Sequence, residues 1–297
     1  MTATADLPTL PLGRDSVMWR VATEPAFLLP SGPRALLLQV AHPAVAAGVA
    51  DHSDYESRPW VRLIGTLDVM TKLAFGTPEG SARQARRLRE RHAEITGRMA
   101  DGSSYRALDP DLMLWVWATL VDTLVVSYQR YVRMLGEGER DQLYREWRAV
   151  GRACGVPLSR LPETWDGFAA YVGSVVDGDL SATDTARVVA EQIHRPPLPR
   201  PLGPAIGRGL AALTAPVLPD RLRAELGLAA PVDGGPADRV AALTRRLAAA
   251  TPGPIRRTPL RLALSIWARP PHLPGLPPPT IAATSPLKAS CRPVTPA

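Results

Sequence analysis

The sequence predicts an all-α protein with a single globular helical domain and a disordered, proline-rich C-terminal tail. Apolar residues recur with helical periodicity along most of the chain. No segment bounded by turns shows the alternation of apolar and polar residues that is typical of a half-buried strand. Of the 297 residues 45% are hydrophobic and 21% are charged, which is typical of a chain that folds around a core. The 32 prolines crowd the part after Arg195 and dominate the end.

The first half of the predicted domain contains three helices. Residues 1–15 are expected to form a flexible arm. Residues 34–50 are apolar enough for a buried helix, which Pro43 either kinks or divides. A second helix over 60–75 ends at a Gly-Thr-Pro turn, and a third is predicted over 79–100, with proline in its first turn.

The second half begins with the strongest start signal in the chain. Asp109 and Pro110 form an N-cap followed by proline at the first helical position, and an apolar helix is predicted from there to about residue 135. Further helices are predicted over 139–154, 162–175, 182–193, 206–213, 221–226, 237–249 and 258–268. The domain therefore spans 16–268. Residues 269–297 are expected to be disordered, because their prolines remove hydrogen-bond donors and little there can be buried.

The charge and cysteine content argue against several classes of protein. The formal net charge is +7, and we attribute the excess to arginines interleaved with acids on helices and to a tail beyond Glu225 that has only two aspartates. No nucleic-acid-binding motif appears, so nucleic acid is not an expected partner. Cys154 and Cys291 give no disulfide framework. The longest apolar run is too short for a membrane span, and the start lacks a secretory signal. We therefore expect a cytoplasmic protein without a transmembrane segment.

Two titratable residues lie on apolar helix faces. His92 recurs at helical spacing with Leu88 and Ile95, among several arginines. An inward-facing imidazole there could ligate a metal while an arginine pairs with an anion, or it could be a core histidine bonded to a carbonyl. Asp122 shares a face with Trp115 and Thr119 and needs a partner, for which His42, His92 or an arginine are candidates. Its role could be structural or functional.

Three segments together resemble a known family. AHPAVAAGVADHS, RRLRERHAEITG and YRALDPDLMLWVWATLVDTLV are similar to the three signature blocks of the MpaB/latex-clearing-protein (rubber oxygenase) family, in the same order. The resemblance covers roughly residues 17–193. It implies a helical fold that encloses a cofactor-sized pocket for haem b, and an oxygenase that acts on a hydrophobic small molecule with O2.

The resemblance also implies roles for individual residues. His92 is the first candidate for the iron ligand and His42 the second. Arg83 and Arg87 match arginines available for haem propionates or a distal role, and Trp117 and Thr119 are expected beside the cofactor. Trp117 stands where family members usually have the proximal histidine, and an indole cannot coordinate iron. Arg87, His92 and Asp122 form the expected catalytic set.

Two alternatives remain open from the sequence. A haem-free helical enzyme could use His92 and Asp122 as acid and base. A non-catalytic binding protein could use its proline-rich tail to dock on a partner. Of the other histidines, His42 is expected to bond a carboxylate or carbonyl at a helix kink, and His52 to lie in a separate place as a cap in the turn over 51–54.

Overall fold

The protein is an assembly of α-helices, which confirms the predicted fold class. The computed structural model describes residues 7–53, 59–99, 101–196, 198–230 and 232–268, so the proline-rich tail and the first six residues of the predicted arm lie outside the described residues. The helices are α1 Val17–Ala22, α2 Leu28–Ala41, α3 Pro43–His52, α4 Pro59–Phe75, α5 Pro78–Ala93, α6 Pro110–Tyr131, α7 Glu137–Cys154, α8 Trp165–Gly178, α9 Asp184–Ile193, α10 Leu202–Thr214, α11 Asp220–Glu225, α12 Pro236–Ala250 and α13 Gly253–Ala268. Strands β1 Thr96–Arg98 and β2 Ser104–Arg106 and two short 3-10 turns, Pro25–Phe27 and Ala215–Val217, complete the described elements.

Pro43 divides the predicted helix over 34–50 rather than kinking it. α2 ends two residues before Pro43, which begins α3. Because proline has no N–H, the last carbonyl groups of α2 need other donors. The hydroxyl of Thr183 donates to the Val40 carbonyl at 2.9 Å, and the Ser181 N–H donates to the Ala41 carbonyl at 3.0 Å. The break therefore fixes the start of α9 against the end of α2.

The predicted helix over 79–100 is shorter than expected, since α5 ends at Ala93. The chain then forms the antiparallel pair β1–β2, with Gly97 opposite Tyr105 and a turn that includes Gly102 at φ 85°. Tyr105 is buried, and a Cβ at position 97 would lie 2.5 Å from its hydroxyl, so only glycine leaves room for this ring. Strands of three residues are too short to show the alternation that predicts a strand.

α6 is the central helix of the core. It begins at the predicted Asp109 cap, whose carboxylate accepts from the N–H of Asp111 at 2.9 Å, and it packs against α2, α7, α8 and α12. Among the described residues it is the one helix long and apolar enough to cross a membrane by length and composition, and 61% of that window is buried inside the fold. This is the pattern of a helix surrounded by other helices.

Two buried carboxylates attach the terminal helices to the core. Glu146 on α7 accepts from the N–H groups of Val17 and Met18, at 3.2 and 2.6 Å, and so caps α1, a helix that the sequence analysis did not predict. Glu24 has no exposed surface and binds Arg256 of α13 through two hydrogen bonds of 2.6 and 2.7 Å. The last helix is therefore held by an ion pair formed 232 residues apart in sequence.

Candidate functional site

A buried polar network joins α2 to α6 around Arg34. Its guanidinium lies 2.6 Å from the carboxylate of Asp122, donates to the Thr123 hydroxyl at 2.7 Å and donates to the Val217 carbonyl. Arg34 is only 4% exposed. A buried guanidinium requires partners for its donors, and a buried carboxylate requires a cation, so each satisfies the other. The partner of Asp122 is thus an arginine, one of the possibilities that the sequence left open.

The network continues toward the start of α6 through Thr119. Gln39 donates to the Thr119 hydroxyl at 3.1 Å, and that hydroxyl donates to the Val116 carbonyl at 2.7 Å. The indole N–H of Trp115 donates to the Leu38 carbonyl at 3.3 Å. The Thr119 hydroxyl already serves as donor and acceptor within the protein. Through these hydrogen bonds Thr119 holds α2 against α6.

Trp117 lies on the opposite side of α6, in an aromatic cluster. Its indole N–H donates to the Trp147 carbonyl at 2.9 Å. Its ring lies 6.1 Å from the ring of Tyr144 and 5.7 Å from that of Phe168, between centroids. On its remaining side it touches α7 at Gly151, where an added Cβ would lie 2.8 Å from the indole nitrogen. The indole N–H of Trp117 is therefore paired, and its ring fills the space between α6, α7 and α8.

His92 is half-buried on the last turn of α5, on the inner side of that helix. It lies two turns from Ala85, which is buried. Arg83 and Arg87 are exposed. They precede His92 by nine and five residues, which places them about 180° and 140° around the helix from it. The structure thus does not bring these two arginines together with His92.

Arg89 is exposed like Arg83 and Arg87, but it lies on the side of α5 that faces α7. It donates to the Ala153 carbonyl at 3.3 Å. A Cβ added at Gly155, which ends α7 in the left-handed conformation at φ 105°, would lie 3.5 Å from the Arg89 side chain and 3.0 Å from that of Met113 near the start of α6. Asp122 is nine residues beyond Met113, about 14 Å along α6, and it faces α2. The predicted acid–base residues His92 and Asp122 therefore lie in different surroundings.

His42 differs from the expectation that it would bond a carboxylate or a carbonyl. It is the N-cap residue of α3 and is half-buried, and its Nδ1 is buried without a hydrogen-bond partner among the described residues. Burial lowers the pKa of this imidazole, and the carboxylate of Asp179 only partly opposes that change. A neutral imidazole with an unpaired nitrogen is the form that ligates a metal.

His52 lies apart from these residues, at the end of α3. It belongs to the last turn of that helix rather than to the following turn, and its Nε2 lies 3.1 Å from the Thr96 carbonyl. The neighbouring Asp51 accepts a 2.5 Å hydrogen bond from Tyr105. Both contacts join α3 to the β1–β2 pair, which gives His52 a structural role.

Arg34 and Gln39 are the polar residues of the network that the sequence analysis missed. Gln39 interrupts the apolar run from Ala35 to Val40, and Arg34 directly precedes that run. A charged residue inside a buried helix was the signal that singled out Asp122, and the same signal was present at Arg34. Within the described residues, no group of three or more His, Cys, Asp or Glu side chains lies close enough to hold a metal ion.

Two mycobacterial relatives match part of this chain. Uncharacterized proteins from Mycobacterium bovis and Mycobacterium tuberculosis are each 26% identical to it over 177 residues, which cover 57% of this chain and 69% of each relative. No solved structure matches the chain. The family described as "ER-bound oxygenase mpaB/B'/Rubber oxygenase, catalytic domain" matches residues 19–252, which include α2 to α12, and the chain therefore belongs to this family of oxygenase catalytic domains.

Proposed function

We propose that the protein is an oxygenase that acts on a hydrophobic small molecule, with haem b as its cofactor and O2 as its co-substrate. The observation that carries the proposal is the family match over residues 19–252, because it covers almost the whole helical core rather than one short motif. Haem and the hydrophobic substrate come from the resemblance of the three sequence blocks.

Position 117 does not fit an axial ligand. The indole of Trp117 can only donate, and its N–H is bound to the Trp147 carbonyl. The aromatic cluster and Gly151 occupy the space around the ring. A haem held by this chain would therefore need an imidazole from another helix.

Of the two histidines that the sequence offers as iron ligands, His42 has the surroundings that fit a ligand better. Its buried Nδ1 has no hydrogen-bond partner in the described part of the chain, and burial lowers the pKa of the imidazole, which favours its neutral form. His92, the first candidate from the sequence, is half-buried beside Arg89 and stays the second place to test. When bound, haem iron would supply the activation of O2, and the polarity of nearby side chains would tune that chemistry.

The same Trp117 environment favours one other candidate function, a haem-free enzyme of the same fold. In that case His92 and Asp122, the acid and base expected from the sequence, would act from separate surroundings, since Asp122 faces α2. In a haem-free enzyme His92→Ala and Asp122→Asn would each abolish turnover without any change in colour.

An absorption spectrum of the full-length protein separates the two functions. We expect the protein, as isolated or after addition of hemin, to show the intense violet band of bound haem, and His42→Ala to lose it. His52→Ala is the matched control, because that imidazole contacts the Thr96 carbonyl outside the candidate site. A band that survives His42→Ala but is lost in His92→Ala moves the ligand to α5.

A protein that shows no band with hemin, in the original chain and in both variants, contradicts the haem proposal. Trp117→His then provides the decisive comparison. If this single change creates haem binding, the family's cofactor has been lost through residue 117, and the haem-free enzyme is the better description.

A further inference from the structure

α12 exposes a stripe of apolar side chains to solvent. Val240, Leu243 and Leu247 are 38%, 55% and 55% exposed, and their spacing of three and four residues places them on one side of the helix. Ala241, on the opposite side, is 2% exposed and belongs to the core. The helix therefore packs through a small residue while its larger apolar side chains face outward, the reverse of an ordinary surface helix.

α13 repeats this arrangement. Ile255 and Leu262 are 66% and 63% exposed and lie two turns apart on the same side, whereas Leu264 packs against the core. The Glu24–Arg256 ion pair fixes the helix to the body of the protein. Ile255 and Leu262 are thus presented by a helix with a defined orientation. We call Val240, Leu243 and Leu247, which share one side of α12, the C-terminal apolar face.

The same part of the chain carries the positive charge of the protein. The whole sequence has 35 basic and 28 acidic residues, and from Arg239 to the end there are nine basic residues and no acidic ones. The preceding 238 residues therefore contain 26 basic against 28 acidic residues and are close to neutral. Such a charge asymmetry indicates an anionic partner for the C-terminal part.

Exposed arginines border the apolar stripe on α12. Arg239 precedes Val240 and Arg246 precedes Leu247, so each lies about 100° around the helix from a stripe residue. This combination of an apolar side with flanking arginines is the pattern of helices that lie in the interface of a bilayer, where apolar side chains enter the acyl region and cations meet anionic headgroups.

We propose that the C-terminal apolar face docks on the surface of an anionic lipid bilayer. The charges argue against a second copy of the chain, because two such faces brought together would oppose arginine to arginine. The apolar side chains argue against nucleic acid, since a phosphate backbone offers no partner for the three exposed aliphatic residues of α12. A peripheral site of this kind brings the protein to the phase in which hydrophobic molecules dissolve.

Vesicle flotation with the full-length protein tests this surface. We expect the protein to float with vesicles of phosphatidylcholine that contain phosphatidylglycerol, to bind pure phosphatidylcholine at least about tenfold less, and to release as salt rises. The double variant Leu243→Ser/Leu247→Ser should reduce the bound fraction at least about tenfold, because two aliphatic side chains no longer enter the bilayer. Arg246→Gln should reduce it less.

Matched controls lie elsewhere on the surface. Met134→Ser removes a side chain that is 67% exposed after α6, and Arg152→Gln removes an exposed arginine from α7, so both should float as the original protein does. All variants should keep the thermal midpoint of the parent, because none changes a buried contact. The proposal is overturned if the protein ignores anionic vesicles, if the double variant floats normally, or if that variant instead converts a dimer into monomers.

Discussion

The two opposite sides of α6 solve different packing problems. Toward α2 the helix presents Thr119, Asp122 and Thr123, and every one of these side chains contacts a polar partner. Toward α7 and α8 it presents Trp117, whose ring is surrounded by aromatic groups. The first side requires matched hydrogen bonds, and the second requires matched shape.

This comparison shows why the residues of one sequence segment need not belong to one functional site. Trp117 and Thr119 are two residues apart, which turns the side chains by about 200° around a helix. A block such as WVWATLVD therefore supplies residues to two interfaces at once. Of the residues expected beside a cofactor, the structure places Thr119 with Asp122 near α2 and leaves Trp117 on the far side.

The largest loss of stability is expected when the ring of Trp117 is removed from the aromatic side of α6. Trp117→Ala should lower the free energy of unfolding by about 3–5 kcal/mol, because it removes a buried ring and leaves a cavity between α6, α7 and α8. Urea unfolding followed by far-UV circular dichroism measures this change. Trp117→Phe keeps most of the volume and should cost clearly less. If both substitutions cost the same, the lost hydrogen bond to Trp147 rather than packing dominates this side.

Breaking the ion pair on the polar side should cost slightly less. Arg34→Met leaves the carboxylate of Asp122 without its cation, and we expect a loss of about 2–4 kcal/mol, since Asp122 keeps some access to water. The double variant Arg34→Met/Asp122→Leu should recover part of this loss, because no unpaired charge remains. Strictly additive losses in urea unfolding would show that the two side chains do not depend on each other.

The sequence was sufficient for much of the fold because local signals are strong there. Asp109 and Pro110 start α6 as predicted, and Pro43 ends one helix and starts the next. The β1–β2 pair and α1 were missed, since the strands have three residues each and the α1 cap comes partly from Glu146, far along the chain. Such contacts leave no periodic pattern.

The candidate site was harder to predict for the same reason. The partner of Asp122 is 88 residues away, and no spacing rule connects it to Arg34. Helix geometry could have separated the arginines, because Arg83 is two and a half turns from His92 and must face the other way. Whether an imidazole has a hydrogen-bond partner, which distinguishes His42 from His52, depends on the tertiary packing around it.

A smaller effect should follow from adding one methyl group beside Trp117. Gly151→Ala places a Cβ 2.8 Å from the indole nitrogen, and we expect a loss of about 1–3 kcal/mol from overpacking. Gly173→Ala on α8 is the matched control, because a Cβ there meets nothing within 4 Å and alanine favours the helix by about 0.5–1 kcal/mol. Equal stability of the two variants would mean that the aromatic side chains around Trp117 can shift to accommodate the added methyl group.

The smallest expected effect is the change of stability with pH that His42, directly after α2, and His194 cause. Burial lowers the pKa of His42 and of His194 below the ordinary value of 6.5, so near pH 6 the unfolded chain binds more protons than the folded one. Stability should therefore be complete above about pH 6.5 and fall as the pH drops toward 5. We expect His42→Asn/His194→Asn to flatten this part of the curve in urea titrations at several pH values. If the free energy of unfolding of the double variant falls with pH as steeply as that of the parent, carboxylates cause the loss of stability. The folded protein would then protonate His42 as readily as the unfolded chain does.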